Sequence, residues 1–161
     1  MTTIGFCDLS ISYDGKKAVD GFNDILFSGE WLCLIGPNGA GKSSVLRAAA
    51  GLVPYTGSVA IDQTEIPNTS ARWRAQHIAY VPQSPVIPTD MSVYDYVLLG
   101  RSPYISYFST ESSHDRDVVG RVLERLDLSR FTDRSLGTLS GGEVQRLVIA
   151  RALAQEAPVL L

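Results

Sequence analysis

A run of eight residues early in the chain has the composition and spacing of a loop that binds phosphate. It consists of Gly36, Pro37, Asn38, Gly39, Ala40, Gly41, Lys42 and Ser43, with Ser44 after it. Glycines let the backbone curve closely around an anion and direct consecutive N–H groups toward it. The Lys42 ammonium adds a full positive charge, and the Ser43 hydroxyl is a hard oxygen that suits Mg²⁺. This run, which we call the phosphate loop, predicts a nucleotide site with Mg²⁺.

A second segment could also receive an anion. It consists of Leu139, Ser140, Gly141, Gly142 and Glu143 and precedes a long helical pattern. Ser140 and Glu143 have the spacing of a capping box, which would explain this pair without any ligand. Each of the two glycines, however, costs about 1 kcal/mol of helix stability relative to alanine. Because glycine leaves the first-turn N–H groups open to an anion, we expect the segment to be a capping box and a second phosphate contact.

The phosphate loop needs a strand before it and a helix after it, and the sequence contains both patterns. Residues 30–35 (EWLCLI) are almost wholly apolar, which predicts a strand buried on both faces. Helices are predicted over 42–50 and 141–156. Further strands are predicted at 10–13, 22–27, 57–61 and 77–81, and further helices at 70–76, 92–100 and 115–126. Strands prevail before Gln83 and helices after it, which indicates a boundary near this residue.

Composition excludes several broad classes of protein. The 161 residues carry a formal net charge of −3, so the chain lacks the basic excess with which proteins hold nucleic acid. A hydrophobic fraction of 45% argues against disorder, and no apolar stretch is long enough to span a membrane. Cys7 and Cys33 are too few for a disulfide framework, and we expect buried, reduced thiols. No secretory signal is expected at the start.

Three segments, in this order, resemble the nucleotide-binding domain of ABC transporters. They are GPNGAGKSS at 36–44, Gln83 within YVPQS, and LSGGE at 139–143 followed by VQRLVIARAL. The resemblance covers essentially the whole chain. It implies an α/β P-loop NTPase fold with an N-terminal antiparallel β subdomain, a RecA-like core and a helical subdomain. On this basis residues 1–83 are expected to form the β subdomain and phosphate-loop core, and 84–157 the helical subdomain.

The resemblance also implies roles for residues at matching positions. Tyr13 matches the aromatic residue that stacks on adenine, although a tyrosine in a strand can also be a core residue. Lys42 and Gln83 match catalytic residues, and Gln83 with Ser43 matches the contacts to Mg²⁺. Residues 139–143, which we call the signature segment, match the motif that contacts the ATP held by a second copy of the subunit. Relatives commonly carry glutamine where this chain has Glu143.

One part of the family pattern is missing. Members carry an apolar strand that ends in Asp-Glu, where Asp orders Mg²⁺ and Glu polarises the attacking water. Residues 158–161 look like the opening of that strand, so we expect a C-terminally incomplete domain without ATP turnover. The later switch histidine is also missing, because neither His77 nor His114 lies at its position.

The substrate is indicated only by residues 91–104, which we call the docking segment. The last six residues of this segment, LGRSPY, resemble the corresponding sequence in ATPases of importers for iron–siderophore complexes, haem and cobalamin. The aromatic residues of this region are Tyr94, Tyr96, Tyr104, Tyr107 and Phe108. They could form a docking surface or fill the core of the helical subdomain.

The resemblance implies that the partners are ATP, a second copy and transmembrane permease subunits, with no nucleic acid. The place of action would be the cytoplasmic face of the plasma membrane, where the subunit is peripheral. Two alternatives stay open: a soluble ABC ATPase that serves DNA repair, translation or cofactor assembly, and a nucleotide-binding fragment without turnover. The docking segment around Arg101, Ser102 and Pro103 is the feature that discriminates between the importer and the soluble ATPase.

Overall fold

The computed structural model of the protein describes residues 2–106 and 108–161. They divide into two compact units, and the division falls between Arg74 and Ala75, earlier than Gln83. The strands are β1 (Thr3–Tyr13), β2 (Lys16–Phe27), β3 (Thr56–Ile61), β4 (Thr64–Glu65), β5 (Ile78–Ala79) and β6 (Val159–Leu160). The α-helices are α1 (Lys42–Ala49), α2 (Ala71–His77), α3 (Val93–Leu98), α4 (Ser113–Arg125) and α5 (Gly141–Ala154).

An antiparallel sheet of four strands, in the order β2-β1-β3-β4, forms most of the first unit. In β1 the buried side chains are Ile4, Phe6, Leu9 and Ile11, so the two-residue alternation skips a position after Phe6. A bulge at this point explains the skip, because Asp8 adopts a φ of 48° and the pairing with β2 shifts between Phe6 and Leu9. The strands are therefore longer than the predicted segments 10–13 and 22–27.

The segment that precedes the phosphate loop differs from its prediction. Residues 30–35 are extended but belong to no described strand, and the Trp31 side chain is 97% exposed. A strand forms only where a neighbouring strand accepts its backbone hydrogen bonds, and no described strand pairs with this segment. The predicted burial of the cysteine thiols is also wrong, because Cys33 lies in this exposed segment and Cys7 is exposed on β1.

Helices dominate the second unit and pack around one apolar core. Its buried members are Val93, Tyr96, Val97, Val118, Val119, Val122, Leu123, Leu128, Phe131, Leu136, Leu147, Ala150 and Ala154. The i, i+3, i+4 spacing along α4 places its apolar residues on one side, as predicted. In the described part of the chain, no helix has the length and apolar character needed to cross a membrane.

Three helices of this unit begin in the same way. Ser92, Ser112 and Ser140 each accept a hydrogen bond from the amide three residues later, at the starts of α3, α4 and α5. Serine at this position satisfies an N–H group that has no acceptor inside the helix. The strand predicted at the C-terminal end is present as β6, which runs parallel to β5.

Candidate functional site

The phosphate loop leads directly into α1, whose N-terminus is capped by no side chain. Gly41 occupies the cap position with a φ of 83°, and the first turn contains no acidic residue. A side chain at Gly41 would also meet the carbonyl oxygen of Ala18 in β2, so glycine is required for both conformation and space. The positive end of the α1 dipole is therefore open to an anion.

Lys42 is held inside the phosphate loop by the loop's own backbone. Its Nζ donates to the carbonyl oxygens of Gly36 at 2.8 Å and Pro37 at 2.7 Å. An ammonium group has three donors, so these two bonds place the charge within the loop without exhausting its capacity. Ser43, the predicted Mg²⁺ ligand, is exposed in the first turn of α1.

Tyr13 lies beside the start of α1. Its hydroxyl donates to Ser44 Oγ at 3.3 Å, and its side chain is 41% exposed at the end of β1. The exposure argues against the alternative that Tyr13 is a core residue. The first unit thus brings together the aromatic side chain, the phosphate loop and Ser44, as the predicted site requires.

The signature segment forms the capping box predicted for it. The Ser140 N–H and hydroxyl both donate to Glu143 Oε2, at 2.7 and 2.8 Å, and these bonds lower the pKa of the Glu143 carboxyl. Gly141 and Gly142 have open space where a Cβ would lie, so local crowding does not require glycine at either position. An open, glycine-lined helix start at which a carboxylate already accepts from Ser140 is suited to a phosphate oxygen.

Gln83 lies in the irregular segment after β5, and its side chain is exposed. Its amide oxygen and the Ser43 hydroxyl are each a hard oxygen of the kind that Mg²⁺ accepts, and they belong to different units. Among the described residues, no three His, Cys, Asp or Glu side chains gather as a metal cluster.

The aromatic residues of the docking segment and its surroundings divide between core and surface. Tyr96 is buried in the core of the second unit, whereas Tyr104 is exposed and Phe108 is 97% exposed. Leu99 adds a further exposed apolar side chain, while Tyr107 lies outside the described residues. The second unit therefore exposes the apolar side chains of Leu99, Tyr104 and Phe108.

Arg101, which the sequence places at the centre of the docking segment, is not among those exposed residues. It is 2% exposed and binds the Asp115 carboxylate, which is also buried. The sequence analysis missed this pair because the two residues are separated by a loop and no local pattern connects them.

Comparisons with known proteins agree with these features. Residues 19–161 match the family model described as ABC transporter. A cobalamin import ATP-binding protein from Halobacterium salinarum is 37% identical over 160 residues, with 99% of this chain and 40% of the relative covered. A manganese transport system ATP-binding protein from Listeria innocua is 37% identical over 154 residues, with 94% of this chain and 62% of the relative covered. The chain thus spans about half the length of these relatives.

Solved structures share the fold. An ABC transporter described as of the metal-chelate type, in an inward-facing conformation, superposes with a TM-score of 0.79 at 33% identity, over 96% of this chain and 56% of that one. A nucleotide-free ATP-binding cassette from an ABC transporter superposes with a TM-score of 0.83 at 25% identity, over 99% of this chain and 68% of that one. The α/β P-loop NTPase fold predicted from the motifs is confirmed.

Proposed function

The chain belongs to the ABC transporter family, and from this premise we propose that the full-length protein is the ATP-binding subunit of an importer. It would couple ATP hydrolysis to the uptake of a metal chelate such as an iron–siderophore complex, haem or cobalamin. The observation that carries the proposal is the phosphate loop, which brings a helix start without a side-chain cap together with the Lys42 ammonium. Both features raise the affinity for a polyphosphate.

Within this proposal the first unit binds the nucleotide. The amides of residues 36–44 would donate to phosphate oxygens, and Lys42 would exchange its loop carbonyls for the β- and γ-phosphates. Tyr13 would stack on the adenine while its hydroxyl holds Ser44. Ser43 would hold Mg²⁺, which when bound offsets the negative charge of the phosphates.

The second unit would complete the site of a second copy. Ser140 donates its N–H and hydroxyl to Glu143 now, and the same donors suit the γ-phosphate held by the partner. We expect the 161-residue chain by itself to bind ATP without turnover, because none of its described carboxylates is assigned the role of polarising the attacking water.

Metal-chelate import is supported by the docking segment and the relatives. The exposed side chains of Leu99, Tyr104 and Phe108 have the apolar character expected where the subunit contacts permease subunits at the cytoplasmic face of the membrane. The matched relatives and the matched transporter are named for cobalamin, manganese and metal chelates. We expect a peripheral ATPase dimer on two permease subunits, without nucleic acid.

The first prediction tests the nucleotide site. In the full-length protein, Lys42→Ala should weaken ATP binding by roughly tenfold or more, because a charge-assisted hydrogen bond contributes about 1.5–3 kcal/mol. ATP affinity is measured by calorimetry, with Lys17→Ala as control because the exposed Lys17 ammonium pairs with the Asp20 carboxylate on the surface. Unchanged affinity in Lys42→Ala would refute the site. Copurification of permease subunits would separate the importer from a soluble ABC ATPase.

A further inference from the structure

One charged side chain in the second unit is buried without a role in the proposed nucleotide site. Arg101 is 2% exposed, and with Asp115 it makes up the buried polar or charged residues of the described chain. Removing a guanidinium and a carboxylate from water costs several kcal/mol per ion, and an apolar pair of equal volume is often as stable. Stability alone therefore does not explain Arg101.

The Arg101 guanidinium joins three elements. Its Nε donates to Asp115 Oδ1 at 2.9 Å, which reaches the first turn of α4. Its Nη1 donates to the carbonyl oxygen of Ala154 at 2.8 Å and to Glu156 Oε2 at 2.8 Å, at the last turn of α5 and just after it. The guanidinium also lies 4.2 Å from the ring centre of Tyr104. One side chain thus connects α4, the end of α5 and the exposed Tyr104.

Residues on either side of Arg101 also contact the C-terminal end of α5. A Cβ at Gly100 would meet the carbonyl oxygen of Arg151, so only glycine permits this approach. The Tyr104 hydroxyl donates to the carbonyl oxygen of Gln155 at 2.9 Å. Residues 99–104 are therefore fastened to the C-terminal end of the helix whose N-terminal end carries the signature segment.

We propose that Arg101 is a positioning residue that makes residues 99–104 and helix α5 move as one body. A permease that presses on Leu99 and Tyr104 would then displace the signature segment at the other end of α5. This inference rests on the proposed function of the signature segment. Arginine is needed because its planar fork reaches Asp115 and Ala154 together, whereas the single ammonium of lysine cannot span both.

The test is the second prediction and uses Arg101→Lys in the full-length protein, purified with its permease subunits in phospholipid vesicles. The ratio of ATP hydrolysis with permease to hydrolysis by the free subunit should fall by about fivefold or more, since couplings between sites correspond to 5–150-fold effects. ATP affinity should stay unchanged, because the phosphate loop lies in the other unit. Glu156→Gln should lower the ratio less, because Asp115 and Ala154 still hold the guanidinium.

The control is Arg121→Lys, whose side chain is exposed and lies 3.7 Å from the Glu156 carboxylate. An unchanged ratio in Arg101→Lys would overturn the proposal. A ratio that falls only together with ATP affinity and melting temperature would also overturn it, because Arg101 would then support folding alone. If the wild-type protein hydrolyses no ATP, or if no permease subunits copurify with it, the proposed function is wrong instead.

Discussion

Tyr13 joins the end of a strand to the start of the helix that follows the phosphate loop. The hydrogen bond from its hydroxyl to Ser44 Oγ limits rotation of the ring, while the ring itself stays partly exposed. A ring that is held in place loses less conformational entropy when a purine stacks on it. Tyr13 would therefore act through its hydroxyl as well as through its aromatic face.

The third prediction separates these two contributions in the full-length protein. Tyr13→Phe should weaken ATP binding about two- to tenfold, because one hydrogen bond contributes about 0.5–1.5 kcal/mol. Ser44→Ala should add little in the Tyr13→Phe background. Inorganic tripolyphosphate, which has no base to stack, serves as control and should bind Tyr13→Phe as it binds the wild type. Equal weakening for both ligands would mean that the bond shapes the phosphate loop and not the base site.

Residue-level prediction succeeded where the information is local. The phosphate loop and the capping box of Ser140 and Glu143 are recognised from spacings of a few residues, so the sequence alone identifies them. The partners of Arg101, in contrast, are Asp115 and Glu156, and only the packing of the second unit brings them together. An arginine in a polar, glycine-containing turn has the same local pattern whether it is buried or exposed.

Among the elements, helices were predicted better than strands for the same reason. Helices α3 and α5 begin after serines with the spacing of a cap, and α4 begins two residues before its predicted start at Asp115. These small differences are expected because a helix closes its hydrogen bonds within itself. Strand formation depends on a neighbour, which explains both the unpaired residues 30–35 and the short β5. The bulge at Asp8 likewise interrupts the alternation that a sequence pattern uses.

The fourth prediction concerns the start of α4. The hydroxyl and N–H of Ser112, followed by Arg101, lower the pKa of the Asp115 carboxyl to about 2 from 3.8. Because the folded pKa is lower than the unfolded one, the carboxylate contributes stability above about pH 4, and this contribution is lost as the pH falls toward 2. Asp115→Asn should therefore unfold at a lower temperature than wild type at pH 7, with a difference that narrows toward pH 2.

Thermal unfolding followed by circular dichroism across this pH range is the measurement. The control is Asp117→Asn, a substitution at an exposed position of the same helix. Its unfolding temperature should equal that of the wild type at each pH. If Asp115→Asn lowers the unfolding temperature by the same amount at pH 7 and pH 2, the prediction is wrong. The Asp115 side chain would then contribute through its packing and not through its ionisation.

At the scale of the whole molecule, the two units carry different parts of the proposed function. The first contains Tyr13 and the phosphate loop, and the second contains Gln83, the signature segment and the docking segment. The first unit also exposes a run of apolar side chains before the phosphate loop, namely Ile25, Phe27, Trp31, Leu32 and Ile35. Exposed apolar side chains that follow one another this closely along the chain favour association in water.

The fifth prediction follows from this run of side chains. The 161-residue chain should self-associate as its concentration rises, and Trp31→Ser should shift the equilibrium toward monomer because it removes the most exposed aromatic side chain of the run. Sedimentation velocity measures the distribution. Val86→Ser, at another highly exposed apolar position in the second unit, is the matched control and should change little. A wild-type chain that stays monomeric at every concentration would contradict the prediction.

The bonds from Lys42 to the carbonyl oxygens of Gly36 and Pro37 also determine which anions the phosphate loop selects. An incoming anion can accept the third ammonium hydrogen, and it competes with the two carbonyl oxygens only for the other two. A chloride ion offers one diffuse charge and gains little from the exchange. A chain of phosphates offers several charged oxygens at once and also meets the N–H groups of α1. We therefore expect a polyphosphate to replace these carbonyl contacts more readily than a monovalent ion does.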